Sequence, residues 1–89
     1  MIERPITIKN KLGLHARAAV KFVNTANRFG ADIRIEKDGG EIDGKSILGI
    51  LTLAATQGSD IVLKVDGADE EAAWKALFDL IDQRFGEKE

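Results

Sequence analysis

The sequence predicts an α+β fold in which four strands form one sheet and three helices cover a single face of it. Apolar residues alternate clearly in three of the four expected strands, and helical spacing governs three other segments. The order along the chain is strand, helix, strand, strand, helix, strand, helix. Because an alternating strand buries only one side, one sheet face meets the helices and the other meets water. We therefore expect an open-faced β-sandwich (βαββαβα).

The length and composition indicate one globular domain. A chain of 89 residues has room for one hydrophobic core, so we expect a single domain over residues 1–89. The formal net charge is −2, which gives no electrostatic case for binding nucleic acid or anionic lipid. The absence of cysteine excludes disulfides, thiolate metal sites and cysteine nucleophiles.

No segment predicts targeting or membrane insertion. No window approaches the roughly 20 apolar residues that a membrane span needs. No apolar run follows the start Met1–Pro5, as a signal peptide would require. We expect a soluble cytoplasmic protein, complete from its first residue, and a monomer.

The first third of the chain predicts a strand and a helix. Residues 2–8 alternate, and Pro5, which lacks an N–H, favours a position at the edge of the sheet. A helix is predicted over residues 16–29, and Gly30 is expected to end it. Its apolar stripe comprises Ala19, Phe22, Val23, Ala26 and Phe29.

The middle of the chain predicts a hairpin, and a further strand lies beyond it. Residues 31–37 alternate, and Asp38-Gly39-Gly40 predicts a turn into a return strand at residues 41–43. Residues 60–66 give the clearest alternation, with Ile61, Leu63 and Val65 on one side.

The last helix begins after Gly67, with Asp69 as the expected cap and Gly86 as the expected end. Residues 87–89 are expected to fray. The broad buried face of this helix comprises Ala73, Trp74, Leu77, Phe78, Leu80, Ile81 and Phe85.

A short apolar helix is predicted after Ser46, which is a good N-cap, and Gly58 ends that region. The spacing predicts a core face formed by Ile50, Leu53 and Ala54. It leaves Ile47, Leu48 and Leu51 at least partly exposed. Exposed apolar clusters usually mark a binding surface, although all of these residues can instead belong to the core.

The candidate reactive group is His15, the only histidine, which stands where a loop turns into the first helix. A neutral imidazole is nucleophilic near neutral pH without a further base. The N–H groups at a helix N-terminus bind phosphate and disfavour the imidazolium form. Arg17 adds planar charged donors, and Gly13 permits a tight turn before the site. His15 and Arg17 alone are weak evidence, since a lone histidine is usually a surface residue.

Two wider motifs strengthen this hypothesis. Gly13-Leu14-His15-Ala16-Arg17, followed by an alanine-rich helix, resembles the active-site segment of the HPr family, the histidine phosphocarriers of the bacterial phosphoenolpyruvate-dependent phosphotransferase system. Gly44-Lys45-Ser46-Ile47-Leu48-Gly49 resembles the second motif of that family. The length, the element order and the distance between the motifs also match, so the resemblance covers essentially the whole chain.

The resemblance implies a four-stranded antiparallel sheet and a specific chemistry. His15 would accept a phosphoryl group on Nδ1 from phosphorylated Enzyme I and pass it to a histidine of an Enzyme IIA-type protein, and Arg17 would stabilise the phosphate. The protein would carry a phosphohistidine intermediate rather than act as a stand-alone enzyme, and sugar transport is the usual context. Val20 would join Ile47, Leu48 and Leu51 in the surface that docks these partners.

The resemblance also leaves alternatives open. Ser46 would be phosphorylated by an HPr kinase/phosphorylase in some bacteria, although an N-cap serine needs no further role. Ala18 stands where the family commonly has proline, which leaves a nitrogen-related or purely regulatory branch open. We expect no cofactor or metal, because one histidine has no clustered partner with ligand spacing. The acidic balance and the lack of strand aromatics argue against a nucleic-acid binder.

Overall fold

The computed structural model describes residues 1–89 and contains four strands and three helices. The elements are β1 (Ile2–Thr7), α1 (Ala16–Ala26), β2 (Asp32–Lys37), β3 (Gly40–Asp43), α2 (Ile47–Thr52), β4 (Asp60–Asp66) and α3 (Glu70–Asp82), with a final 3₁₀ turn at Arg84–Gly86. The sheet order is β1-β4-β2-β3, and every neighbouring pair is antiparallel. The predicted open-faced α+β fold is confirmed.

The alternation in the strands determines which face of the sheet is covered. Ile61, Leu63 and Val65 of β4 are fully or almost fully buried, whereas Val62 and Lys64 between them are partly exposed. The core is one cluster of 20 buried residues from the inner sheet face, the helices and their loops. β1 pairs only with β4, so Pro5 lies in an edge strand as its missing N–H predicted. No helix is both long enough and apolar enough to cross a bilayer.

The first helix is shorter than predicted. α1 ends at Ala26 rather than Phe29, and Gly30 does not adopt the left-handed conformation of a helix-ending glycine. The N–H groups of Arg28 and Phe29 instead bond three residues back, to Thr25 and Ala26. The turn after α1 is therefore tightened before the chain enters β2.

The carboxylate of Asp69 fixes the path of the chain after α1. Asp69 occupies the N-cap position of α3 as predicted, but its side chain makes no capping hydrogen bond there. Its two oxygens accept instead from the N–H groups of Gly30, at 2.9 Å, and Ala31, at 3.0 Å. These long-range hydrogen bonds occupy the oxygens that a capping aspartate would offer to the first turn of α3. They connect the start of α3 to the start of β2.

The variant Asp69→Ala is expected to lower the free energy of unfolding by about 2 kcal/mol, because two backbone donors lose a charged acceptor. Urea unfolding measures the loss. The control Asp79→Ala removes a carboxylate of the same helix that only pairs with Lys75 on the surface, and it is expected to cost less than about 0.5 kcal/mol. Equal losses in the two variants would show that the hydrogen bonds to Gly30 and Ala31 stabilise the fold no more than a surface ion pair does.

The core face of α2 also differs from the prediction. Ile50 is buried and Leu53 is half-buried, but Ala54 is exposed and Ala55 is buried in its place. The helix ends at Thr52, and Ala54 has a φ of 50°, so the chain turns and aims the next residue inward. In α3 the residues Ala73, Leu77 and Ile81 are buried, and Phe85 is buried just beyond the helix. The other three members of the predicted face, Trp74, Phe78 and Leu80, are partly buried.

Candidate functional site

His15 is the N-cap residue of α1, and both of its ring nitrogens have partners. Its backbone is extended (φ −74°, ψ 176°), and its Nδ1 accepts a hydrogen bond of 3.2 Å from the backbone N–H of Arg17. Its Nε2 contacts a carboxylate oxygen of Glu87. The ring therefore directs the Nδ1 lone pair toward the positive end of the helix, and its side chain keeps a quarter of its surface exposed.

Gly13 shapes the loop that delivers this ring. It has a φ of +67°, and a Cβ atom built there would lie 2.3 Å from the carbonyl oxygen of Ala55. The next residue, Leu14, donates its N–H to that same carbonyl at 2.9 Å. The segment after α2 thus holds the loop before α1 at a distance that only glycine permits.

Arg17 lies in the first turn of α1 and is exposed. Its guanidinium makes no salt bridge and no hydrogen bond within the chain, so all of its donors face solvent or a ligand. A shallow pocket of about 350 Å³ opens between the loop of residues 11–17 and the C-terminal tail, and both His15 and Arg17 line it. The structure therefore brings the ring and the guanidinium together at one opening.

The C-terminal tail folds over the side of the ring opposite α1, which contradicts the expectation that residues 87–89 fray. One oxygen of Glu87 meets His15 Nε2, and the other accepts from Asn10 Nδ2 at 3.1 Å. The Asn10 side chain is fully buried and also donates to the carbonyl of Gly13 at 2.8 Å. Glu87 is only 17% exposed. The loop at Asn10 and Gly13, the His15 ring and the C-terminal tail thus form one continuous hydrogen-bond network.

The tail is held in place by contacts that precede and follow Glu87. Phe85 is buried, and three successive residues, Arg84, Phe85 and Gly86, have φ between 56° and 77°. This left-handed stretch turns the chain back from the end of α3 toward α1. Lys21 of α1 donates from Nζ to the carbonyl of Phe85 at 2.6 Å. Lys11 then pairs with Glu89 at 3.4 Å.

The pKa of Glu87 lies below its ordinary value as the balance of opposed effects. Burial raises it, and the hydrogen bonds from His15 and Asn10 together with the nearby charge of Lys21 lower it by more. Glu87 is therefore a carboxylate at neutral pH. A carboxylate with a depressed pKa stabilises the fold above its unfolded pKa, and this stabilisation is lost as the pH falls through the folded value.

The four apolar residues predicted to form a docking surface are all exposed. Leu48 is 76% exposed, and Val20, Ile47 and Leu51 lie between 36% and 40%. Val20 belongs to α1 and the others to α2, and these two helices pack against each other. We call these four residues the α2 patch.

Ser46 is the N-cap of α2, and its Oγ accepts from the N–H of Gly49 at 3.0 Å. The neighbouring Lys45 donates to the carbonyl of Phe29, beyond the C-terminal end of α1. His15 is at the opposite end of α1, and a helix of 11 residues is about 16 Å long. The structure therefore does not bring Ser46 to His15.

Two residues of the site, Asn10 and Glu87, carry no signal in the sequence that predicts their role. Asn10 reads as an ordinary loop residue, and Glu87 belongs to a short charged terminus. Their positions depend on how the end of α3 returns to α1. Of the site residues, only Gly13, His15 and Arg17 follow from a local pattern.

The fold and the site define a class of protein, in which a small open-faced α+β domain presents one imidazole beside helix N–H groups and an unpaired guanidinium. Comparison with known proteins identifies the family. The model of the PTS HPr component phosphorylation site matches residues 2–83. The chain belongs to the HPr family of the phosphotransferase system, whose members act with partners in that system.

Individual relatives agree with this assignment. Phosphocarrier protein HPr of Neisseria meningitidis serogroup A is 49% identical over 89 residues, which is all of both chains. The crystal structure of HPr-C-His from Thermoanaerobacter tengcongensis superimposes with a TM-score of 0.96 at 50% identity and full coverage of both chains. Crh of Bacillus subtilis, a catabolite repression protein that forms a swapped dimer, gives a TM-score of 0.76 at 37% identity and covers 94% of this chain and 97% of its own.

Proposed function

We propose that this protein is a phosphocarrier of the phosphotransferase system that accepts a phosphoryl group on His15 from phosphorylated Enzyme I and passes it to an Enzyme IIA-type protein. One observation carries this proposal: the only imidazole of the chain presents Nδ1 at the N-terminus of α1. Family membership supports the same reaction. We also propose that the protein works in the cytoplasm, where phosphoenolpyruvate supplies the group.

The transfer needs a nucleophile and acceptors for charge, and the site supplies both. The Nδ1 lone pair forms the new N–P bond, and the donor nitrogen on Enzyme I leaves with the electron pair of the broken bond. The N–H of Arg17, which bonds to Nδ1 in the free protein, can then donate to a phosphoryl oxygen. The Arg17 guanidinium adds charged donors at the same opening.

The α2 patch is proposed as the surface that docks both partners. It combines apolar side chains of two packed helices, one of which carries the His15 ring at its N-terminus, and Leu48 is its most exposed member. Enzyme I and the Enzyme IIA-type protein must use it in turn, because each needs access to the same Nδ1. A shared surface of this kind suits a carrier that exchanges partners.

Regulation through Ser46, by an HPr kinase/phosphorylase, is proposed as a second layer. A phosphate there would lie at the N-terminus of α2, beside Ile47 and Leu48, about a helix length from His15. Its charge would therefore act on docking and not on the chemistry of the ring. The sugar-transport, nitrogen-related and regulatory branches differ in the partners that this surface meets.

The variant Ser46→Asp is expected to slow phosphotransfer from Enzyme I about 10-fold, because it places a charge beside the apolar surface that must be desolvated. The control Ser46→Ala is expected to transfer at the normal rate. It loses the bond to Gly49 and about 1 kcal/mol of stability. Stopped samples of a transfer reaction measure both rates, and a normal rate for Ser46→Asp would remove the proposed regulation.

The proposed function is tested by incubating the protein with Enzyme I and phosphoenolpyruvate. One acid-labile phosphate per chain is expected. A purely regulatory module, the alternative suggested by the likeness to Crh, would take up none and would act through phosphorylated Ser46.

We propose that the carrier is a monomer, and sedimentation of the phosphorylated and free forms distinguishes it from a swapped dimer.

A further inference from the structure

We propose that Glu87 is a positioning residue for phosphotransfer, which holds the ring proton of His15 on Nε2 and leaves the Nδ1 lone pair available to the phosphorus. This inference rests on the proposed function, because it concerns the same ring. It concerns a residue of the C-terminal tail, which the motifs at the helix starts do not include.

The contacts at Glu87 leave only one oxygen of its carboxylate for the His15 ring. One oxygen is used by Asn10 Nδ2, so the other is the oxygen that meets Nε2. The buried Asn10 side chain cannot turn its oxygen toward Glu87 without aiming it also at the carbonyl of Gly13, which now accepts from Nδ2. An acceptor is thus fixed on the Nε2 side of the ring, and an N–H donor, that of Arg17, is fixed on the Nδ1 side.

These two partners select the same tautomer. A carboxylate accepts only, so Nε2 must carry the proton, and the N–H of Arg17 donates only, so Nδ1 must carry the lone pair. The low pKa of Glu87 keeps the acceptor charged at neutral pH. Burial of all but 17% of the Glu87 side chain limits competition from water.

The proton on Nε2 matters in both directions of the transfer. When Nδ1 attacks, its lone pair forms the N–P bond and positive charge develops on the ring, which the carboxylate stabilises. When the group moves on to the acceptor, the N–P bond breaks and Nδ1 takes the electron pair back. With the proton still on Nε2 the leaving group is neutral imidazole, whereas without it the leaving group would be the much poorer imidazolate.

The isosteric variant Glu87→Gln tests this role. An amide has one oxygen, so it cannot accept from both Asn10 and His15. If the oxygen faces His15, the NH₂ group opposes the NH₂ group of Asn10. If the NH₂ group faces His15, it donates to Nε2 and favours the tautomer with the proton on Nδ1. We expect the rates of transfer from Enzyme I and to the acceptor protein to fall together about 10-fold. We also expect ¹⁵N NMR spectra of the neutral ring to show a Nδ1–H population that the wild-type protein lacks.

The matched control is Glu71→Gln, which removes the same charge from an exposed position of α3 that makes no side-chain hydrogen bond or salt bridge. It should keep its transfer rate within about twofold of wild type. Rates are measured below the thermal transition of every variant, so that a loss of folded protein is not counted. A Glu87→Gln protein with wild-type rates and a pure Nε2–H ring would overturn the inference, and so would equal losses in both variants.

A failure of this inference is distinguishable from a failure of the proposed function. If Glu87→Gln transfers normally while a variant without the His15 ring takes up no phosphate, only the role of Glu87 is wrong. If the protein without the ring is still phosphorylated by Enzyme I, the assignment of His15 itself is wrong.

Discussion

Replacement of His15 by asparagine is expected to reduce phosphate uptake from Enzyme I by more than about 100-fold, to the background of the assay. The chain has no other histidine and no cysteine that could take over as nucleophile. Asparagine is among the preferred N-cap residues, so the start of α1 should persist. Uptake is measured with labelled phosphoenolpyruvate and catalytic amounts of Enzyme I.

The control for this experiment is the unfolding transition of the same variant. Asparagine can accept from the N–H of Arg17 as Nδ1 now does, but the contact with Glu87 is lost, so the free energy of unfolding should fall by about 2 kcal/mol and the variant should remain folded. Loss of uptake in a folded protein then belongs to the chemistry of the ring. Phosphorylation of His15→Asn at the wild-type rate would show that another group accepts the phosphate.

The variant Leu48→Glu is expected to raise the KM for phosphorylated Enzyme I about 30-fold and to leave kcat nearly unchanged. Leu48 is the most exposed member of the α2 patch, and burying an unpaired charge at the centre of an apolar contact typically costs 2 kcal/mol or more, roughly 30-fold. The side chain does not contribute to the core, so the fold should tolerate the change. Steady-state transfer kinetics with varied Enzyme I measure both constants.

The matched control is Ala72→Glu, which adds the same charge at an exposed position of α3. Its KM should stay within about twofold of the wild-type value, because net charge alone acts weakly at physiological ionic strength. If both variants raise KM equally, the effect comes from overall charge and the α2 patch is not the docking surface.

Local patterns in the sequence predict a large part of this molecule. The alternation of residues 60–66 corresponds to β4 residue for residue, and Pro5 lies on the edge strand that its missing N–H favoured. Ser46 caps α2 through the N–H of Gly49, as an N-cap serine does. These features could be predicted because each depends on neighbours within a few residues.

The features that the sequence did not predict depend on partners far along the chain. Asp69 has the residue type and position of a helix cap, but its carboxylate bonds to the N–H groups of Gly30 and Ala31. Glu87 lies in a terminus whose composition predicts fraying, yet a buried Phe85 and the contact with Lys21 return it to His15. In both cases tertiary contacts outweighed the local preference, and such contacts cannot be predicted from the local composition.

The central claim, that His15 carries the phosphoryl group on Nδ1, is tested most directly by NMR of the phosphorylated protein. The protein is labelled with ¹⁵N in its histidine and phosphorylated with Enzyme I and phosphoenolpyruvate at alkaline pH, where the N–P bond survives. We predict phosphorus coupling to Nδ1 of His15 and a proton retained on Nε2. Coupling to Nε2, or phosphate found on Ser46 with none on the ring, would contradict this account.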